Sequence, residues 1–502
     1  MLSRRQLILA APAVLPAAAR PNIIFIFIDD LGYGDFGVTG NRDVPTPNID
    51  RLAQEGTLFR QFYVASPICS PSRTAVVTGQ YPARHRICSY FADHKNNQSL
   101  GMPDWLNPQA PSVARTFQQA GYATGHFGKW HLGGGRDVGD APLPQAYGFD
   151  ESVTSFEGLG DRLLIEGDGL SKQSAALGRG QIEWLPKHKL TEVYIDKALA
   201  FIDKNKTRPF YLHLWPCDVH DNHVPRKDLL AKYEKFSANP HQQRFYAVLD
   251  EFDRQIGRLL DALIPTGLAQ NTIVALTGDN GPTAWPRYYA NGDQAPGSTA
   301  GLRGRKWSLY EGGIRLPLLV RWPGHIPAGR VDQRTVVTAV DLFPTFCSRA
   351  GLPKPNVQFD SEDMSSAWRG RTHQRKRAIF WEYGRDQRYL QPGLKADQSP
   401  NLAVRDGHWK LLLNADGSSA ELYDFRSSDK ERDNVAARHP AVTQRPLGPQ
   451  DCQAAFGGGQ LPVPGPILED ARRVRAQVHD HRGRICRGSF CGFFGAEANR
   501  GR

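Results

Sequence analysis

Pro21 through Ile28 is an apolar run interrupted only by Asn22, and it stops at Asp29-Asp30. The same grammar recurs at Arg208-Pro209-Phe210-Tyr211-Leu212-His213-Leu214-Trp215 and at Asn271-Thr272-Ile273-Val274-Ala275-Leu276-Thr277. Runs without polar alternation predict strands buried on both faces, as in a parallel sheet covered by helices. Helical patterns lie between them. One starts at Pro47, and a second runs from Pro111 to a stop at Gly121. A third, from Phe245 to Leu263, places Leu249, Phe252, Ile256, Leu259 and Leu260 on one face. Strands alternating with helices predict an α/β fold with a large, mostly parallel sheet.

Each apolar run ends in polar chemistry: Asp29-Asp30, then Cys217-Asp218-Val219-His220, then Gly278-Asp279-Asn280-Gly281. A single Asp after a strand is ordinarily a turn or cap residue. Three such ends converge where open α/β sheets bind ligands, beyond the carboxyl ends of the strands. After about residue 345 the texture changes. Two short strands flank a turn at Asp406-Gly407, and Glu421-Leu422-Tyr423-Asp424 follows. This predicts a catalytic domain over 20–345 and a smaller C-terminal α+β subdomain with an antiparallel sheet over 346–444. The Gly-, Pro- and Arg-rich stretch 445–502 is expected to be a poorly structured tail.

The first nineteen residues read as an export signal, with Ser3-Arg4-Arg5-Gln6-Leu7-Ile8 similar to a twin-arginine leader; a Sec signal with chance arginines is the alternative. A periplasmic or secreted protein is expected. No later segment has the apolar length of a membrane span. The net charge of +11 favours anionic partners. Nucleic acid, a sulfated glycan and a membrane surface all fit that sign, but the lysines and arginines are scattered, which argues against a specific nucleic-acid site. Seven dispersed cysteines suggest neither a zinc site nor a disulfide scaffold.

One of them stands in a distinctive setting, Ser66-Pro67-Ile68-Cys69-Ser70-Pro71-Ser72-Arg73-Thr74-Ala75. The helical pattern after it puts residue 69 near a helix N-terminus, where the dipole and Arg73 favour negative charge. A reactive thiol or an anion site is expected, beside the alternative of a structural cysteine.

Cys69-Ser70-Pro71-Ser72-Arg73 resembles the Cys-x-Pro-Ser-Arg signature of the type I sulfatase family, formylglycine-dependent members of the alkaline phosphatase superfamily. The resemblance continues in order through Asp29-Asp30-Leu31-Gly32, Gly121 to Gly133, Thr277 to Gly281 and Leu302 to Gly313. It implies that a formylglycine-generating enzyme oxidises Cys69. It further implies that Asp29, Asp30, Asp279 and Asn280, with residue 69, bind Ca2+ (or Mg2+), hard-oxygen chemistry that suits either ion. A hydroxyl of the hydrated aldehyde would attack sulfur, and deprotonation of its twin would release sulfate. Arg73, Lys129 and His131 are implied to hold and activate the diol, with His131 the base for its collapse. Lys129 and Lys306 are implied to hold sulfate oxygens. For the histidine beside sulfate or leaving group, His220 has the better strand context, whereas His223-Val224-Pro225 keeps the family's His-x-Pro form. A phosphonate or phosphodiester hydrolase of the same superfamily and a non-catalytic glycan-binding protein are the competing readings. For a member of this family the net positive charge fits a sulfated carbohydrate and equally a small sulfate ester, and substrate choice is expected to reside in the loops 90–106, 151–186 and 285–299.

Overall fold

The computed structural model describes residues 20–384 and 386–443, so the export signal and the tail expected from sequence lie outside the described residues. Ten strands form one sheet: β1 (Asn22–Ile28), β2 (Thr57–Tyr63), β3 (Ala123–Lys129), β4 (Glu151–Ser155), β5 (Arg162–Ile165), β6 (Ile182–Leu185), β7 (Phe210–Trp215), β8 (Thr272–Gly278), β9 (Arg315–Arg321) and β10 (Arg330–Thr338). Their order is β10-β2-β9-β8-β1-β7-β3-β4-β5-β6. Only β9 runs against its neighbours, β2 and β8. The expected large, mixed, mostly parallel sheet is therefore present.

The three apolar runs read from sequence become β1, β7 and β8, which lie side by side with every residue buried. Asn22 ties their starts together: its Nδ2 donates to Thr272 Oγ1 at 3.3 Å and its Oδ1 accepts from the Phe210 amide at 3.1 Å. Helices pack on the sheet in two groups. Pro240–Ala262 contacts both Pro47–Gln54 and Leu190–Lys204, and Cys69–Thr78 contacts both Val113–Gln119 and Leu342–Arg349. The long helix buries the predicted stripe, but starts at Pro240, where Asn239 caps the amides of His241 and Gln242. The 151–186 segment, expected as loop, contains β4, β5 and β6. Four-residue strands such as β5 and β6 are too short to leave a period in the sequence.

A second sheet holds β11 (Ile379–Glu382), β12 (Leu402–Asp406), β13 (Trp409–Leu413) and β14 (Glu421–Asp424), all antiparallel and in that order. Phe380, Trp381 and Leu412 from this sheet belong to the same hydrophobic core as Phe25 and Trp215. A buried polar link adds to the junction: Lys410 Nζ donates to the Leu309 carbonyl at 2.8 Å and pairs with Glu311 at 2.9 Å. The small sheet thus buttresses the large one from within a shared core. Among the described residues no helix is long and apolar enough to cross a membrane.

Candidate active site

Four adjacent parallel strands deliver the site. β1 runs into Asp29 and Asp30, β8 into Asp279 and Asn280, β7 into the turn carrying His220, and β3 ends on Lys129, two residues before His131. Residue 69 arrives separately as the first residue of the helix Cys69–Thr78, whose N-cap Ile68 offers no side-chain bond to the first-turn amides. That end of the helix presents unsatisfied N–H groups and a partial positive charge.

Carboxylate oxygens of Asp29, Asp30 and Asp279 and the Cys69 sulfur lie within 4.8 Å of one another. Three cations face the three carboxylates. Lys129 Nζ is 2.6 Å from Asp29 and 3.3 Å from Cys69 Sγ. Lys306 Nζ reaches both oxygens of Asp30, at 2.6 and 2.8 Å. Arg73 Nη2 lies 2.7 Å from Asp279. Burial opposes ionisation of Asp29, but Lys129, His220 and Arg73 together hold its carboxyl well below the usual range. For Asp30 and Asp279 burial prevails, and both are pushed up to about 6. Asn280 donates its Nδ2 to Asp30 at 2.7 Å, while its Oδ1 is buried with no partner. An orphaned amide oxygen beside two under-compensated carboxylates is a donor set suited to a hard divalent cation.

The local expectation for Cys69 needs correcting. Burial pushes its thiol up rather than down, and Asp279 and Asp29 add to that. Arg73 does not reach the sulfur; it is bound to Asp279 and to the Lys129 carbonyl, at 2.9 Å for the latter. An unmodified, buried thiol here is a poor nucleophile.

The histidines divide clearly. His131 Nε2 meets the Phe91 carbonyl at 3.2 Å, which requires that nitrogen to carry the proton and leaves Nδ1 bare and unpartnered. Burial, with Lys129 and Arg73, holds this imidazole neutral by lowering its pKa well below the usual value. His220 Nδ1 meets the Asp221 carbonyl, leaving Nε2 at 3.6 Å from Asp30. His223 does not line the cavity: its Nε2 meets the Val219 carbonyl at 2.9 Å and its ring packs on Phe245. Asp30 and His131 adopt left-handed backbone conformations, φ 59° and 50°, which non-glycine residues hold only under surrounding constraint.

A cavity of about 630 Å³ opens over this cluster. Its wall includes Tyr90, Phe156, Leu170 and Trp285, so all three loops expected to select substrate reach it. It also contains groups that sequence reasoning missed. Lys187 donates to the carbonyls of His220 and Asn222, each at 2.7 Å, and Arg136 pairs with Glu157 at 2.8 Å. Neither sits in a recognisable motif; only folding brings Lys187 to the His220 turn.

The profile of the sulfatase family matches residues 21–352. Residues 304–444 match the profile described as N-sulphoglucosamine sulphohydrolase, C-terminal. Human arylsulfatase A is 32% identical over 83% of this chain and 79% of its own length. The N-acetylgalactosamine-6-O-sulfatase of Bacteroides thetaiotaomicron is 28% identical over 85% of this chain and 91% of its own. Among solved structures, Ps i-CgsB in complex with k-i-k-neocarrahexaose superimposes with a TM-score of 0.71 at 26% identity, covering 92% of this chain and 98% of that one.

Proposed function

This chain belongs to the sulfatase family and hydrolyses sulfate esters, and from that premise we propose that residue 69 acts as formylglycine beside a divalent cation, Ca2+ before Mg2+. The observation that carries this reading is the unpartnered Oδ1 of Asn280 beside Asp29, Asp30, Asp279 and residue 69. Those residues would hold the ion through oxygen. When bound, it supplies Lewis-acid polarisation to oxygens at the reacting centre. The hydrated aldehyde supplies what a thiol pushed up by burial does not: one hydroxyl to take the sulfuryl group and a second whose deprotonation expels sulfate.

The chain's own groups then have distinct tasks. Lys129 and Lys306, both buried, hold the sulfate oxygens where negative charge accumulates. The bare Nδ1 of His131 accepts the proton of the second hydroxyl. His220 is anchored through Nδ1 with Nε2 beside Asp30; once doubly protonated, its Nε2 would donate to the departing oxygen, which leaves as the alcohol. Arg73 is a positioning residue that holds Asp279 and the end of β3. The aromatic faces of Tyr90, Phe156 and Trp285 suit sugar rings, and a relative named N-acetylgalactosamine-6-O-sulfatase and a solved complex with k-i-k-neocarrahexaose support a sulfated carbohydrate as substrate. Export through the twin-arginine-like leader would place the enzyme in the periplasm or outside the cell, after a formylglycine-generating enzyme has acted.

Mass spectrometry of the peptide containing residue 69, from active protein made in its native host, tests the proposal. Formylglycine at that position is expected; a residue that is entirely thiol in protein turning over an aryl sulfate overturns it.

A further inference from the structure

A second cavity, of about 950 Å³, shares no lining residue with the active site. It lies where β2 and β10 meet the small sheet. Eight lysine or arginine side chains line it against one carboxylate, Asp429. Three of the eight are neutralised locally: Arg315 by Glu311 and Asp429, Arg375 by Asp341 and Arg426 by Asp424. Elsewhere the bonds go to uncharged oxygens. Arg405, only 5% exposed, is held by Tyr63 Oη and by Gln61 Oε1 at 2.6 Å. Arg60, Arg377 and Lys430 donate to the carbonyls of Val38, Phe359 and Ala300. Two further polar atoms in the cleft, Arg60 Nε and His408 Nε2, are buried without a partner. Positive charge concentrated in a concave, partly desolvated wall is an anion site in physical terms.

We propose that this cleft binds the sulfate or carboxylate groups of an anionic polysaccharide, as a second site that keeps the polymer on the enzyme while the active site acts. The identity of the polymer class rests on the sulfated-carbohydrate reading above. The cleft favours a saccharide over a single-stranded nucleic acid because its aromatic faces are covered. Arg315 stacks on Tyr33 at 5.3 Å and Arg405 on Phe425 at 5.0 Å, so no open platform for a base remains among them.

The test is the double variant Arg334→Glu/Arg377→Glu in the full-length enzyme, at two exposed positions on the cleft wall. Binding is measured against dextran sulfate, unsulfated dextran and single-stranded DNA over a salt series, with aryl sulfate turnover in parallel. The wild type should bind dextran sulfate and not dextran. The double variant should bind dextran sulfate about tenfold or more weakly, with a log–log salt slope shallower by about 1.5. Its melting temperature and aryl sulfate turnover should match the wild type, and Arg334→Gln/Arg377→Gln should give a smaller loss. Unchanged dextran sulfate affinity in the double variant overturns the site, and DNA bound as tightly as dextran sulfate overturns the saccharide assignment. Absence of aryl sulfate turnover in the wild type counts against the catalytic reading alone, because binding is read separately.

Discussion

The guanidinium of Arg73 grips one oxygen of Asp279 twice, through Nη2 at 2.7 Å and Nε at 3.1 Å. Its remaining arm reaches the Lys129 carbonyl at 2.9 Å, so one side chain links the ends of β8 and β3 across β1 and β7. Lysine keeps the charge but cannot make this fork. Arg73→Lys should therefore lose about 2 kcal/mol of stability in urea denaturation, less than the ~3–5 kcal/mol of a fully broken buried pair. Turnover should fall about a hundredfold or more. An R73K protein as stable and active as the wild type would contradict the positioning role.

Cation removal should leave the fold intact, because Arg73, Lys129 and Lys306 already face the three carboxylates. Chelation is expected to abolish turnover, with recovery on adding Ca2+. Calorimetry should show one tight site whose affinity drops in Asn280→Ala and drops further in Asp30→Asn. At a hundredfold excess over Kd the ion should stabilise the protein by about 2.7 kcal/mol. Equal Ca2+ affinity in the wild type and both variants would remove these residues from the ligand set.

Much of this site is legible in the sequence because its geometry follows from strand ends. Asp29, Asp30, Asp279 and Asn280 directly succeed apolar runs that pair as neighbours, so their convergence needs only the parallel sheet. Depth of burial is not written locally, and this is why Cys69 reads as an activated thiol beside Arg73 although its thiol is pushed up and Arg73 faces Asp279. Lys187 is invisible for another reason. Its bonds reach carbonyls 33 and 35 residues further along the chain, a relation set by packing rather than by period or motif.

His220 and His223, three positions apart, should respond oppositely to truncation. His220 lines the cavity with Nε2 near Asp30, whereas His223 is packed on Phe245 beneath the turn. His220→Ala is expected to lower kcat by about 10²–10⁴ with little change in stability. His223→Ala should keep most turnover and lower the melting temperature. Loss of turnover confined to His223→Ala would reverse the assignment.

Lys187→Met should test whether the buried ammonium aims His220. Its two 2.7 Å bonds fix the carbonyls on both sides of Asp221. Removing an orienting partner typically costs about 10–100-fold, and the loss should fall on kcat rather than KM. Lys187→Arg should restore part of the rate. A loss that tracks the active fraction, with kcat per active site unchanged, would mean that Lys187 only supports folding.

Burial pushes the Glu157 carboxyl up to about 7, even though Arg136 at 2.8 Å pulls the other way. The folded chain then holds this proton more tightly than the unfolded chain, whose glutamate titrates near 4.5. The contribution to stability is full below that value and is lost as pH rises towards 7, with a slope of up to about 1.4 kcal/mol per pH unit. Glu157→Gln removes the titration and should flatten that part of the profile. Unfolding free energies of the two proteins, compared at intervals from pH 5 to 8, provide the measurement. The wild type should lose stability relative to E157Q up to about pH 7 and run parallel to it above. A wild type that runs parallel to E157Q from pH 5 upward would show that Arg136 outweighs burial and that Glu157 is ionised throughout.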